Sequence, residues 1–438
     1  MDVASVASWQ PTRALGRAVL VTGVLLLTGV VLGRLDLVAL AAPFALGTAW
    51  ALRRRPTELP TLELTLPDDD ATEGGSVHTL VRVGNPGRVG FDVAVIRLAY
   101  SPWLSFPRGD RPQAIDLGPD QVAEMPRPGV ALRWGQQSIG PASAYASAGH
   151  GLLVSMPVLT PPSPVRVHPQ TPPFRADQVM PRSSALVGVH RSRRPGEGGE
   201  LAGVRRFGPG DRLRRVDWRV TLRTRELHVA HTLSDRDAEV MIVLDVLREA
   251  GRSGGIFGAA SVVDTTVRAA AAIAEHYLRQ GDRVGLLEFG ESLRLLRAAS
   301  GRRHLQTVLA WLLRTQAGSN QSQPRESGLE PQHIPGSAVV VVLTPMLDPA
   351  GVEMIATLAR AGRVVVAVDT LGELADRPLL SSQWTALAQR LWRLERAATI
   401  GQLREVGVPV TAWAGAGSLD LVLRDMAQLA AAPRMSLR

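Results

Sequence analysis

The chain has 438 residues, a formal net charge of +9 and no cysteine. This length is enough for two or three domains of roughly 100–200 residues each. All 49 basic residues are arginine. Without lysine there is no P-loop lysine and no Schiff-base lysine. Without cysteine there is no disulfide, thiolate nucleophile, iron–sulfur cluster or Cys-ligated zinc. The composition therefore excludes many classes of enzyme.

Two apolar segments follow an N-terminal tail at residues 1–13. Residues 18–33 and 37–52 each contain 16 uncharged residues. As helices they would be about 24 Å long, somewhat short of a ~30 Å hydrocarbon core, and flanking arginines could snorkel to make up the difference. A cleaved signal peptide is the alternative, since Ala39-Leu40-Ala41 resembles a cleavage site, but Arg34 and Asp36 interrupt the approach to that site and a second full apolar run is present. The pattern predicts a transmembrane helical hairpin over residues 14–55.

The arginines around this hairpin are unevenly distributed. Arg13 and Arg17 precede its first apolar run, residues 53–55 after its second run are all arginine, and Arg34 lies at its tip. Cytoplasmic flanks of membrane helices carry the excess of arginine. The sequence therefore predicts a multi-pass plasma-membrane protein with both hairpin ends, and everything after residue 55, in the cytoplasm.

Residues 56–170 contain short segments of alternating polarity separated by glycine and proline, which is typical of a small antiparallel β-sandwich. In residues 77–83 the three valines and a threonine at odd positions would face one way, and the even positions the other. No group of residues in this region indicates chemistry. We expect this domain to be a spacer or a docking surface.

The rest of the chain divides into a connector and an α/β domain. Residues 171–238 are rich in proline, arginine and glycine and predict a connector. In residues 239–438 short apolar runs alternate with helical segments, including one over 418–430. This alternation predicts a doubly wound, mostly parallel sheet covered on both faces. A turn at 290–291 would add one antiparallel strand at the sheet edge.

The connector contains an arginine-rich motif, RRFGPGD followed by RRVDW. In a structural interpretation, Phe207 and Trp218 are apolar anchors and Gly210 is a turn residue. Asp211 and Asp217 then accept hydrogen bonds from backbone N–H groups or arginines. In a docking interpretation, the arginines bind an acidic partner, a phosphate or an anionic headgroup. These arginines are Arg205, Arg206, Arg212, Arg214, Arg215 and Arg223. Both interpretations remain open.

The motif and the sequence after it resemble the "domain of unknown function 58" family. The matching positions are Arg206, Phe207, Gly210, Asp211, Arg215, Asp217, Trp218, Arg223, Leu227 and Asp245. The resemblance implies a membrane-anchored protein with a sheet domain followed by a von Willebrand factor A-like α/β domain. It also implies a chaperone-like or assembly role with a MoxR-type AAA+ ATPase. We therefore expect a protein-interaction module and not an enzyme.

The same resemblance raises the question of a metal site. Von Willebrand A-like domains often hold Mg²⁺ at the carboxyl ends of their strands, and the corresponding candidate ligands are Asp245, Thr344 and Asp348. Leu247 and Glu249 replace two serines of the family pattern, and Pro345 stands where an aspartate is usual. Because Mg²⁺ needs several oxygen ligands, we expect neither a metal nor another cofactor here. Asp245 would then be held by hydrogen bonds or by an arginine such as Arg248.

Two other functions remain as alternatives. The first is a Mg²⁺-dependent ligand-binding von Willebrand A domain with a degenerate site. The second is nucleic-acid binding, which the sequence indicates only weakly. The arginines are spread along the chain, the aromatic residues amount to 9 Trp, 3 Tyr and 7 Phe, and no recognised nucleic-acid motif is present. We therefore expect no nucleic-acid partner.

Overall fold

The computed structural model describes residues 9–107, 109, 111–171, 195–208, 216–233, 239–318, 333–336, 338–372 and 384–413. The chain forms two compact units, Met1–His168 and Pro169–Arg438. The first unit contains two apolar helices and a pair of sheets, and the second contains an α/β sheet and a β-hairpin.

The first unit opens with strand β1 (Trp9–Pro11) and two helices, α1 (Arg13–Leu32) and α2 (Leu35–Arg53). Both helices are long and apolar enough to cross a membrane. The side chain of Thr12 caps α1, and Gly33, with a φ of +63°, ends it. At 20 and 19 residues the helices exceed the predicted apolar runs and are about 30 Å long. The added length includes Arg13, Arg17 and Arg53, so the uncharged runs within the helices remain as short as predicted.

The threonines and one glycine of the two helices make contacts that are common in membrane helices. Thr22, Thr28 and Thr48 donate hydroxyl hydrogen bonds to carbonyls four residues earlier, at 2.7, 2.7 and 2.9 Å. In lipid such bonds satisfy hydroxyls that water cannot reach. A Cβ on Gly29 would lie 2.9 Å from a methyl carbon of Val38, so glycine allows the helices to approach closely near the tip.

The sandwich has two sheets within the described residues. One has four strands in the order β2-β4-β8-β6. The other has eight and contains the path β1-β10-β9-β12-β3. The strands are β2 (Thr61–Thr65), β3 (Asp70–Thr72), β4 (Ser76–Gly84), β5 (Phe91–Tyr100), β6 (Leu104–Ser105), β7 (Gln113–Leu117), β8 (Val122–Ala131), β9 (Gly135–Ala148), β10 (Leu153–Ser155), β11 (Val158–Leu159) and β12 (Ser163–His168).

The pairing in these sheets is antiparallel, as predicted, except between β12 and β3, which is parallel. The alternation predicted for residues 77–83 is confirmed: the four odd positions are buried, and His78 and Arg82 are exposed. The core of the sandwich lies between such alternating faces.

Part of the predicted N-terminal tail belongs to this sandwich. Strand β1 pairs with β10, and Trp9 is only 3% exposed. Its indole N–H donates to the carbonyl of Glu58 at 3.1 Å. The centroid of its ring lies 5.5 Å from that of Phe91. Arg55, just after α2, donates to the carbonyl of Trp9 at 2.7 Å. Both ends of the helical hairpin are therefore fixed at the sandwich.

The second unit begins with a β-hairpin and continues as an α/β sheet. Its elements are β13 (Pro195–Arg206), α3 (Trp218–Thr224), β14 (His228–Leu233), β15 (Glu239–Asp245), α4 (Val262–Gln280), β16 (Arg283–Phe289), β17 (Arg294–Ala299), α5 (Arg302–Leu312), β18 (Ala338–Thr344), α6 (Pro349–Arg360), β19 (Val364–Asp369), α7 (Thr385–Glu405) and β20 (Val410–Ala412). Strands β13 and β14 pair with each other, so the described part of the predicted connector is a hairpin that encloses α3.

The larger sheet has the order β17-β16-β15-β18-β19-β20. Its pairs are parallel except β16–β17, which confirms the antiparallel edge strand predicted from the turn at 290–291. Every residue of β15 and β18 is buried, as in central strands covered on both faces. Helix α4 contacts the middle strands, and residues of α6 and α7 complete a core on alternate strand positions.

Helix α7 was not among the predicted elements, although apolar residues recur along it at intervals of three and four. The predicted helix over 418–430 lies outside the described residues.

Candidate functional site

The carboxyl ends of β15 and β18 meet where the strand order reverses, which is the usual ligand position in such sheets. Asp245 ends β15 and Thr344 ends β18. The hydroxyl of Thr344 donates to Asp245 Oδ2 at 2.7 Å, and the N–H of Leu247 donates to Oδ1 at 3.2 Å. The N–H of Met346 in turn donates to the Thr344 oxygen at 2.9 Å. Hydrogen bonds thus fix this carboxyl group.

Asp245 is sealed from solvent. It is 1% exposed, and a Cβ on Gly351, in the first turns of α6, would lie 2.5 Å from Oδ2. Burial raises the pKa of Asp245 to about 6, while the hydrogen bonds from Thr344 and Leu247 lower it and the charge of Asp348 raises it. Desolvation is the largest of these effects, and it raises the pKa because it disfavours the ionised form. The group is a buried acid with little access to a ligand.

A second pair lies at the same edge of the sheet. Arg248 Nε is 2.8 Å from Asp348 Oδ2, with side chains 32% and 9% exposed. Asp348 also caps α6 by accepting from the N–H of Ala350 at 3.0 Å. The prediction that Arg248 could neutralise Asp245 was therefore wrong. The guanidinium of Arg248 pairs with Asp348, and hydrogen bonds hold Asp245.

These contacts do not fit a Mg²⁺ ion. The structure brings Asp245 and Thr344 together, but the carboxylate of Asp348 faces a guanidinium. Pro345 offers no side-chain oxygen, and Mg²⁺ demands near-octahedral oxygen coordination. Within the ranges described above, no group of three or more His, Asp and Glu residues could hold a metal ion. The arrangement can stabilise the edge of the sheet through hydrogen bonds and one ion pair.

A cavity of about 580 Å³ lies beside this edge, between α6 and α7. Its lining includes Trp392, Arg396 and Glu353. The guanidinium of Arg396 donates to Asp369 Oδ1 and to the carbonyl of Pro345, both at 2.6 Å. Arg396 was not among the predicted site residues. It fixes α7 against the loop that follows β18.

The arginine-rich motif leads into α3. Asp217 caps this helix by accepting from the N–H groups of Arg219 and Val220 at 3.0 and 3.2 Å, which confirms its predicted role as an acceptor. Its own N–H donates to the carbonyl of His228 at 2.9 Å. These bonds hold α3 against β14.

The predicted role of Trp218 as a buried anchor was wrong, because its side chain is 62% exposed. On the same short helix Leu222 is 78% exposed, and Leu227 beyond it is 45% exposed. No residue of α3 is buried. We call Trp218, Leu222, Leu227 and the exposed arginines Arg219 and Arg223 the α3 patch.

Leu222 was not among the predicted site residues, although its spacing of four residues from Trp218 places both side chains on one helix face. Phe207 is partly buried, and its N–H donates to the carbonyl of Leu227 at 2.8 Å, so it retains some anchoring character.

The remaining residues of the motif fall into two groups. Arg205 and Arg206 are exposed, and Arg206 Nε lies 2.9 Å from Glu226. The other motif residues lie outside the described residues, so their predicted roles stay predictions. They are Gly210, Asp211, Arg212, Arg214 and Arg215.

Comparisons with solved structures give only weak likenesses. An α2-macroglobulin fragment from Escherichia coli has a TM-score of 0.22 at 20% identity, covering 26% of this chain and 17% of that one. A CARDB domain from Pyrococcus furiosus has a TM-score of 0.18 at 16% identity, covering 25% and 90%. Neither likeness carries a conclusion about function.

The chain has sequence relatives. Uncharacterized proteins of Mycobacterium bovis and Mycobacterium tuberculosis are each 35% identical over 127 residues, which is 28% of this chain and 38% of theirs. The chain thus spans about two fifths of the length of these curated relatives. Residues 203–379 match the family described as "Protein of unknown function DUF58", and this segment contains the α3 patch and the edge formed by Asp245, Thr344 and Asp348.

Proposed function

We propose that this protein is a membrane-anchored, non-enzymatic interaction module that offers the α3 patch to an acidic protein partner on the cytoplasmic side. The observation that carries the proposal is the exposure of Trp218 and Leu222 beside Arg219 and Arg223, inside the segment that matches the family. The family resemblance suggests a MoxR-type AAA+ ATPase as the first partner to test.

The composition of the patch supports docking. Tryptophan and arginine are the residue types enriched among interface residues with the largest binding energies. An aromatic side chain exposed to 62% leaves apolar area in water that a partner would remove. The arginines beside it would steer an acidic surface and raise the association rate.

The edge formed by Asp245 and Asp348 is a weaker candidate for partner binding. The order β17-β16-β15-β18-β19-β20 corresponds to the doubly wound order 3-2-1-4-5-6, which supports the von Willebrand A-like fold that the resemblance implies. In this chain, however, the carboxyl of Asp245 is buried and that of Asp348 is paired with Arg248. We therefore assign docking to the α3 patch.

The anchoring and orientation are supported by the hairpin. Apolar side chains of α1 and α2 face outward; Leu27 and Leu46, for example, are 66% and 70% exposed. Five arginines flank the hairpin ends and one lies at its tip, which favours ends in the cytoplasm. A reporter that is active only outside the membrane should be silent when fused after Arg438 and active when inserted after Gly33. The opposite pattern would refute the orientation.

The docking is tested with the full chain in detergent and the purified ATPase. Arg219→Glu with Arg223→Glu should reduce capture of the partner, more strongly at low salt, because exposed charges are screened. The matched control is Arg302→Glu with Arg303→Glu, which makes the same charge change at exposed positions of α5. Equal capture by both double variants would show that the α3 patch is not the docking surface.

A further inference from the structure

Helix α7 and its N-terminal cap residue, Trp384, expose a stripe of large apolar side chains. Trp384, Leu387, Leu391 and Leu394 are 65, 53, 55 and 62% exposed. Their spacing of three and four residues places them along one side of the helix. Contiguous exposed apolar side chains of this size mark a binding surface more often than chance exposure does. We call these four residues the α7 stripe.

The opposite side of α7 is fixed, so the stripe cannot turn inward. Leu403 is buried in the core of the sheet. Arg396 is bound to Asp369 and to the carbonyl of Pro345. Arg404 donates to the carbonyl of Val410, on the edge strand, at 3.3 Å. Contacts on three neighbouring segments therefore determine which side of the helix faces solvent.

The charge beside the stripe is predominantly positive. Residues 384–394 include Arg390 and Arg393 and contain no aspartate or glutamate, and Glu395 follows Leu394 directly. Both arginines and Glu395 are exposed. A helix with leucine and tryptophan on one side and arginine on the next has the composition of helices that lie in the plane of an anionic membrane, with the apolar side chains among the acyl chains.

We propose that the α7 stripe docks onto the surface of an anionic membrane. The inference rests on the proposed anchoring by α1 and α2, because an anchored chain is never far from a bilayer and a tether raises the effective concentration of a second site. Arg390 and Arg393 would contact lipid phosphates, and the four apolar side chains would enter the interface.

The absence of cysteine from the chain allows a clean test. A single Leu391→Cys variant of the full chain carries a spin label and is reconstituted into nanodiscs, either of phosphatidylcholine alone or with about one third phosphatidylglycerol. We expect the label to gain accessibility to oxygen and lose accessibility to a water-soluble nickel chelate only in the anionic discs. A label at Gln306→Cys, exposed on α5, should stay aqueous in both. Arg390→Glu with Arg393→Glu should abolish the shift at Leu391→Cys.

The outcomes are distinguishable. A chain that does not float with vesicles lacks the anchor, and the proposed anchoring and the docking fall together. A chain that floats while the label at Leu391→Cys stays aqueous in anionic discs overturns the docking alone. Dipolar coupling between labels in discs that hold two chains, independent of lipid charge, would assign the stripe to a second copy and also overturn the membrane proposal.

Discussion

Two tryptophans of this chain lie beside the N-terminal caps of helices, yet they have opposite environments. Trp9 precedes the cap of α1 and is 3% exposed; Trp218 follows the cap of α3 and is 62% exposed. Trp9 lies on a strand that pairs with β10, so its indole enters a sandwich core beside Phe91. Trp218 lies on a short helix that has no buried residue.

The difference teaches that burial of an aromatic side chain is decided by the layer it meets, which lies far away in sequence. Strand β1 and its partner β10 are separated by about 140 residues, as Pro11 pairs with Leu153. Among the described residues, no such layer covers Trp218. A buried tryptophan contributes to folding, and an exposed one on a fixed helix is available for recognition. The three predictions below test this contrast.

The largest expected effect is that of Trp9→Ala. Removing an indole that is 3% exposed leaves a cavity and an unpaired carbonyl at Glu58, which should cost about 3–5 kcal/mol. Thermal unfolding of the full chain in detergent, followed by circular dichroism, should show the transition of the sandwich at a markedly lower temperature. Trp218→Ala is the matched control. A shift of equal size in both variants would contradict the contrast between the two tryptophans.

The features that were predictable from sequence are those set by neighbours along the chain. The alternation in β4, the turn before β17 and the acceptor role of Asp217 all depend on local spacing. The burial of Trp9, the exposure of Trp218 and the pairing of Arg248 with Asp348, 100 residues away, depend on contacts between distant segments. A single sequence carries no local signal for such contacts.

The next effect concerns Asp245, whose side chain is buried as fully as that of Trp9. Burial raises its pKa from an ordinary value near 3.8 to about 6. Because the folded state favours the neutral acid, the stability it contributes is fully present below pH 3.8 and is lost as the pH rises through about 6. By linkage the difference is of the order of 3 kcal/mol. Asp245→Asn should remove this pH dependence.

The measurement is the melting temperature of the second unit between pH 4 and 7.5, taken as the difference between wild type and variant. The difference cancels other titrating groups, such as Glu288, whose pKa burial also raises. Thr344→Val, which removes the hydroxyl donor to Asp245, should move the transition to higher pH. Parallel pH profiles for wild type and Asp245→Asn would show that this carboxyl group does not titrate in the folded protein.

The smallest effect on stability is expected from Trp218→Ala combined with Leu222→Ala. Both side chains are mostly exposed, and substitutions at such surface positions usually change the free energy of unfolding by no more than about 0.5 kcal/mol. Alanine also has the higher helix propensity.

If the α3 patch docks a partner, however, loss of the interface tryptophan alone should weaken binding by about 2 kcal/mol or more, which is near thirtyfold in Kd. Titration of the ATPase onto immobilised full chain, beside a melting curve for each protein, separates the two effects. Unchanged melting with weakened binding identifies α3 as a recognition surface. Lowered melting would mean that α3 packs more firmly than its exposure indicates, and unchanged binding would assign the partner to another surface.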